Sequence, residues 1–239
     1  MSLDVAVDER TSRMASARTR VFETLRELIL SGEWAPGTRL QPAVLARRLD
    51  TSTTVVREAL VRLIGNGLVV SQLNRGFFVR DLDLRELVDL TELRIQTESL
   101  ALKLAIERGD LDWESEIVAA NYQLSRTPRR NQDDPHRVDY AWQTLHKAFH
   151  IKLIKASECE PMIRIAADMF DSTELYRCWA AQFATSYTRD VEGEHQAIVE
   201  AIINRDAEQA SQALRLHYEA TVEVVLASGL VKNHAGSAR

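Results

Sequence analysis

The sequence predicts a mainly α protein in two parts: three N-terminal helices closed by a β-hairpin, then an all-α antiparallel helical bundle. Three observations carry that reading. Glycine and proline, which punctuate turns and break helices, number only 9 and 5 in 239 residues. Apolar residues recur at helical spacing along most of the chain. Charge changes sign partway: Ser12 to Arg80 holds 11 Arg and no Lys against 5 acids, or +6, whereas Asp81 to Arg239 holds 18 basic and 27 acidic residues, or −9. A basic segment joined to an acidic one suits a DNA-facing module carried by a body that DNA repels.

Residues 1–12 read as a disordered lead-in, and 13–81 as the first domain. Ala17 to Ser31 forms a helix, with Val21, Leu25, Leu28 and Ile29 on one face and Gly32 at its end. After the turn at Ala35-Pro36-Gly37, a short helix runs from Pro42 to Leu49. Ser52 caps a third helix reaching Asn66, with Gly67 just beyond. Leu68 to Ser71 and Phe77 to Arg80 are β-prone and flank the turn Gln72-Leu73-Asn74-Arg75-Gly76. This is the order of a winged helix-turn-helix.

Asp81 to Asp83 is a hinge, and 84–228 is a second, all-helical domain. Its helices are expected at Leu84–Arg108, Trp113–Arg126, His136–Ala156, Pro161–Thr185, Asp190–Arg205 and Ala207–Ala227, with a polar break from Thr127 to Pro135. Residues 229–239 read as a frayed tail. A hydrophobic fraction of 45% can fill two cores. No apolar run approaches the roughly 20 residues a membrane span needs, and the polar start lacks the apolar core of a secretory signal. Two cysteines, Cys159 and Cys178, imply no disulfide framework. A cytoplasmic protein with no membrane partner is expected.

In a helix-turn-helix the second helix enters the major groove. Here it begins Ser52-Thr53-Thr54-Val55-Val56-Arg57. Ser52, Thr53 and Thr54 can donate to phosphates or bases, and Arg57 can reach a guanine edge with two parallel hydrogen bonds. Arg47, Arg48 and Arg75, beside Gly76 at the wing tip, suit phosphates. The segments Leu28-Ile29-Leu30-Ser31-Gly32, Ala35-Pro36-Gly37-Thr38-Arg39-Leu40, Val56-Arg57-Glu58-Ala59-Leu60 and Asn74-Arg75-Gly76, with their spacing, resemble the winged-helix signature of the GntR family of transcriptional regulators. Two positions depart from it: Thr53 stands where the family carries Arg, and Val55 where it carries Pro. The first removes a base or phosphate contact, which puts the family's typical operator sequence in question.

Four histidines of the second domain are flanked by apolar residues at helical spacing: His146 and His150, four apart on one helix, then His195 and His217. Four inward-facing imidazoles on three helices each need a partner, and one divalent metal would satisfy them together. Spacing alone leaves that reading and four separately satisfied core histidines both open.

The domain also resembles the FCD ligand-binding domain of the FadR subfamily. Its marks are Arg94 and Glu98, the Phe149-His150 pair, and the run from His195 to His217. The resemblance implies a metal held by one Asp and three His. His150, His195 and His217 fall on the His positions and His146 on that of the Asp. Neutral imidazole can replace the carboxylate as donor, but the site is then one negative charge short and more attractive to an anion. Zinc or nickel is the expected ion.

Open metal positions would take water or the carboxylate of a small organic acid. Arg94 is a candidate effector contact because its planar fork matches a carboxylate, while an ion pair with Glu98, four residues on, is the competing reading. Asn121, Tyr122 and Arg177 are further candidates, on expected inward placement. The function expected is a homodimeric regulator, a repressor in the simplest case. It would bind a pseudo-palindromic double-stranded DNA operator with an affinity controlled by that acid. A metal sensor or constitutive repressor with a purely structural metal is the alternative. A helical-bundle metalloenzyme rests only on the Glu192-x-x-His195 spacing.

Overall fold

A computed structural model describes residues 17–183 and 189–227, and the chain divides into two compact units between Asp81 and Leu82. The expectations for 1–12 and 229–239, and for the helix end at Thr185, lie outside the described residues.

In the first unit, α1 (residues 17–30) buries Val21, Phe22, Leu25, Ile29 and Leu30, a stripe that matches helical periodicity. It ends at Gly32, whose φ of 79° is open to glycine at little cost. α2 (Pro42–Arg48) starts on proline, and α3 (Thr53–Gly65) is capped by Ser52, whose hydroxyl accepts from the Val55 amide at 3.3 Å. α3 turns Val56, Ala59, Leu60 and Leu63 inward.

The sheet has three strands where two are expected. β2 (Val69–Gln72) and β3 (Gly76–Val79) form the hairpin, and β1 (Arg39–Leu40) pairs antiparallel with the other edge of β3. β1 is only two residues long, too short to show alternation, and exists because Phe77 and Phe78 present a free edge. The wing turn uses Asn74 at φ 59° and Gly76 at φ 96°.

Among the described residues, the named elements of the second unit are six helices: α4 (Leu84–Arg108), α5 (Leu111–Ser125), α6 (Tyr140–Lys155), α7 (Glu160–Phe183), α8 (Val191–Ile203) and α9 (Ala207–Ala227). Aspartates cap four of them. Asp83, Asp110, Asp139 and Asp190 each accept one or two amides from the first turn. Asp139 corrects the expected start of α6 from His136 to Tyr140. The residues before it are held as a small hairpin by an Arg130–Val138 bridge, the Asp139 amide on the Arg129 carbonyl, and an Asn131 side chain that caps Asp133 and Asp134. The core joins Ile95, Leu102 and Ile106 of α4 to Phe149 and Leu153 of α6, Ile198 and Ile202 of α8, and Leu214 of α9. Among the described residues, no helix is long and apolar enough to cross a membrane.

Candidate metal centre and nucleic-acid interface

Helical periodicity on α6, α8 and α9 turns His146, His150, His195 and His217 into this core, where each is 2–4% exposed. One ring nitrogen from each lies within 4.8 Å of the others. His146 and His150 face each other Nε2 to Nε2 at 3.0 Å.

The far sides of two rings are held from behind. His217 Nδ1 lies 2.7 Å from a Glu194 carboxylate oxygen, and that carboxylate is gripped by Arg189 through Nε and Nη2. His150 Nδ1 lies 3.2 Å from the Tyr218 hydroxyl, which donates to Glu98 at 2.5 Å. With Nδ1 as donor in both rings, the Nε2 lone pairs of His150 and His217 are free for the centre. In that network the 3.0 Å contact is a proton on His146 Nε2 shared with His150, a proton that a cation would displace.

Burial, and then the neighbouring imidazoles, hold His146, His150 and His217 well below the usual histidine range. Burial also pushes His195 down to about 3. All four are therefore neutral at pH 7, each with one unprotonated ring nitrogen. His195 Nε2 is buried without a hydrogen-bond partner. Such an atom costs roughly 1–3 kcal/mol, which a shared cation would relieve. Four neutral nitrogens fit zinc, nickel or copper better than an oxygen-seeking ion, and leave the charge of a bound cation uncompensated.

Beside His146 and His217 lies a cavity of about 70 Å³, walled by Trp142, Phe170, Arg129, Arg130, Arg177 and Arg189 among others. Arg177 sits 4.1 Å over the Phe170 ring and donates to the Thr173 hydroxyl at 2.6 Å. Burial, and then Arg94, lower its pKa to about 10, still charged at neutral pH.

The other expected effector contacts do not meet here. Arg94 is buried and does not wall the cavity. It donates to Glu98 at 2.7 Å and lies 4.0 Å over the Tyr218 ring, so the ion pair is the reading the geometry supports. Its role is to hold Glu98, which holds Tyr218. Tyr122 is 68% exposed, which corrects its inward placement, because the buried face of α5 carries Trp113, Ile117 and Leu124. Asn121 pairs with Gln196 at 2.9 Å on an outer groove. Glu192 is also exposed and does not join the histidines. Sequence reasoning misses Glu194, Tyr218 and Arg189. The only signal for the first two is their position next to His195 and His217.

In the first unit Thr53, Thr54, Arg57, Arg47 and Arg75 are exposed. Arg48 is exposed too, but pairs with Glu33 at 2.8 Å and lies over Trp34. Ser52 spends its hydroxyl on the helix cap. Arg75 leans over Phe78 at 5.5 Å, at the tip of the hairpin beside Gly76.

A helix-turn-helix with a wing, followed by a helical domain with a polar buried site, defines a transcriptional regulator. The chain belongs to the gntR family of bacterial regulatory proteins, matched over residues 17–79, and carries an FCD domain, matched over residues 89–220. It is 34% identical to the HTH-type transcriptional regulator BphR of Paraburkholderia xenovorans, across 88% of this chain and 86% of that protein. It is 26% identical to the HTH-type transcriptional repressor GlaR of Escherichia coli, across 85% and 93%. Among solved structures, Escherichia coli McbR/YncC shares the fold with a TM-score of 0.68 at 18% identity, covering 88% of this chain and 97% of that one. These families and relatives are regulators rather than enzymes.

Proposed function

We infer that this regulator binds a pseudo-palindromic operator as a homodimer, and that a small organic acid in the arginine-walled cavity controls its affinity for that DNA. The observation that carries the reading is the convergence of four neutral imidazoles, two of which line a cavity that four arginines also wall. A divalent ion, zinc or nickel, would be held by His146, His150, His195 and His217, and would supply a Lewis-acidic position for a carboxylate oxygen. Arg177 and its neighbours would orient the acid, and Trp142 and Phe170 would exclude water from it.

The cavity's 70 Å³ corresponds to roughly five water positions, which suits a short acid rather than a fatty acyl chain. Arg47, Arg48, Thr53, Thr54, Arg57 and Arg75 are the proposed DNA contacts, with the Ser52 cap setting the start of the reading helix. Placement in the FadR subfamily and in the cytoplasm accords with this reading. GlaR is a transcriptional repressor, which favours repression as the direction. The acid can shift DNA affinity only by its different affinity for the free and DNA-bound arrangements.

The test is elemental mass spectrometry of the purified protein and of a His150→Ala, His195→Ala double variant, followed by operator titration with metal and with acids. About one zinc or nickel ion per chain, lost in the double variant, supports the site. Metal alone switching operator affinity would make the protein a metal sensor. No metal after incubation with zinc and nickel would reduce the histidines to polar lining.

A further inference from the structure

We propose that the effector carries two anionic groups, and that Arg129 holds the second of them in the wall shared by the inner cavity and an outer groove. This rests on the reading of the cavity as the effector site and names the charge class of its ligand.

Charge around the cavity is unevenly compensated. Arg189 is neutralised by Glu194, on which it donates through Nε and Nη2. Arg177 has Glu174 as a neighbouring countercharge. Arg130 donates from Nη1 to the carbonyls of His136 and Ala181, neutral acceptors that leave its charge uncompensated. Arg129 is the extreme case. Its Nε is buried with no hydrogen-bond partner, and its guanidinium lies 5.4 Å from the Trp142 ring centroid. The carboxylate that acts on it, Glu194, is already taken by Arg189. Burial, and then Arg130 and Arg189, push its pKa down to about 10, as expected for a cation lacking its anion.

Position matches charge. A second groove, of about 420 Å³, is walled by Arg126, Asp190 and His195 among others, and shares Arg129, Trp142, Arg189 and Val191 with the inner cavity. Arg129 therefore stands on the side of the cavity that faces this groove. The hairpin that carries it is tied by the Asp139 amide on its own carbonyl and by the Arg130–Val138 bridge, so the guanidinium is presented from a fixed backbone. Four neutral imidazoles leave a bound divalent cation uncompensated, and Arg129 and Arg130 on the cavity wall are uncompensated as well. A single carboxylate offsets only part of that charge. A ligand with two anionic groups can meet both the cation and the guanidinium, and the buried Arg129 Nε lacks an acceptor until one arrives.

The test is calorimetric titration of the zinc-loaded full chain with malonate, succinate and glutarate, against propionate, butyrate and valerate of matched carbon number. Arg129→Gln and Arg129→Lys variants are titrated alongside. For at least one chain length, the dianion is expected to bind roughly tenfold or more tightly than its monoanion partner, the scale of one charge-assisted hydrogen bond. Arg129→Gln should remove that advantage while leaving the monoanion within about twofold, and Arg129→Lys should keep most of it. Equal binding of the two series overturns the proposal, as does an equal loss of both in Arg129→Gln. The wild-type comparison stands even if a variant fails to fold. Monoanions binding where dianions do not would sink the dianion assignment and leave the small-acid reading intact. Binding of neither series at millimolar concentration would sink both.

Discussion

Glu194 accepts a hydrogen bond from His217 at 2.7 Å, while the next residue in sequence, His195, sends its own ring into the same cluster. Two adjacent residues on α8 thus serve one centre from opposite sides. His195 offers a donor atom, and Glu194 fixes which nitrogen of another helix's histidine is free.

Glu194→Gln is therefore expected to weaken metal binding by about 10- to 100-fold, without removing a ligand. Competition with a chromogenic chelator measures it. His217→Ala should cost more, because it removes the donor itself. Equal affinities for wild type and Glu194→Gln would mean that His217 does not need its carboxylate.

Arg94 has a structural expectation. It is buried against Glu98 and stacked on Tyr218. Arg94→Leu leaves a buried carboxylate without its countercharge, so unfolding free energy should fall by about 3–5 kcal/mol in urea. Anion affinity measured on the folded fraction should change far less. A selective loss of anion binding at unchanged stability would return Arg94 to the effector site.

Stability of the metal-free protein should fall on acidification through the histidine range. Burial holds all four imidazoles below their unfolded value of about 6.5, His195 at about 3. Below pH 6.5 the unfolded chain binds protons that the folded chain refuses, so stability rises with pH across that window and is complete above it. Each such histidine contributes a slope of up to about 1.4 kcal/mol per pH unit. Urea midpoints at pH 7.5 and pH 5.5 should differ accordingly, and His195→Gln should flatten the dependence. A midpoint independent of pH would contradict the buried, neutral assignment.

On DNA, Arg57→Ala and Arg75→Ala should separate. Arg57 is exposed near the start of α3, and its loss should cost about 1–3 kcal/mol on the operator and relax discrimination among sequences. Arg75 lies at the hairpin tip, and its loss should weaken all sequences alike and lower the salt slope by about one. Anisotropy titrations at several salt concentrations distinguish the two. Uniform weakening by both would leave Arg57 as a phosphate contact.

Much of this fold is legible in the chain because its causes are local. Ser52 ahead of Thr53, and the apolar stripe Val56, Leu60 and Leu63, specify α3 through capping and periodicity alone. Periodicity likewise turns His146 and His150 inward together, four residues apart, so the candidate metal ligands can be picked out from their spacing. Where the cause is not local, the sequence is silent or misleads. Tyr122 sits on a helix whose weak amphipathicity hides its outer face, and β1 forms only because β3 offers it an edge. Arg94 can meet a ligand or Glu98, since one four-residue spacing permits both, and only packing against α9 resolves it.

The sequence by itself determined the two-part architecture, the reading helix and the four histidines, because caps, turn residues and helical periods act over a few residues. Tertiary structure alone decided which groups stand behind the histidines, and that Arg129 and Arg130, in a loop with no periodic signal, wall the cavity beside His146 and His217. Charge pairing and desolvation are sums over neighbours that lie far apart in the chain, and no local pattern encodes them.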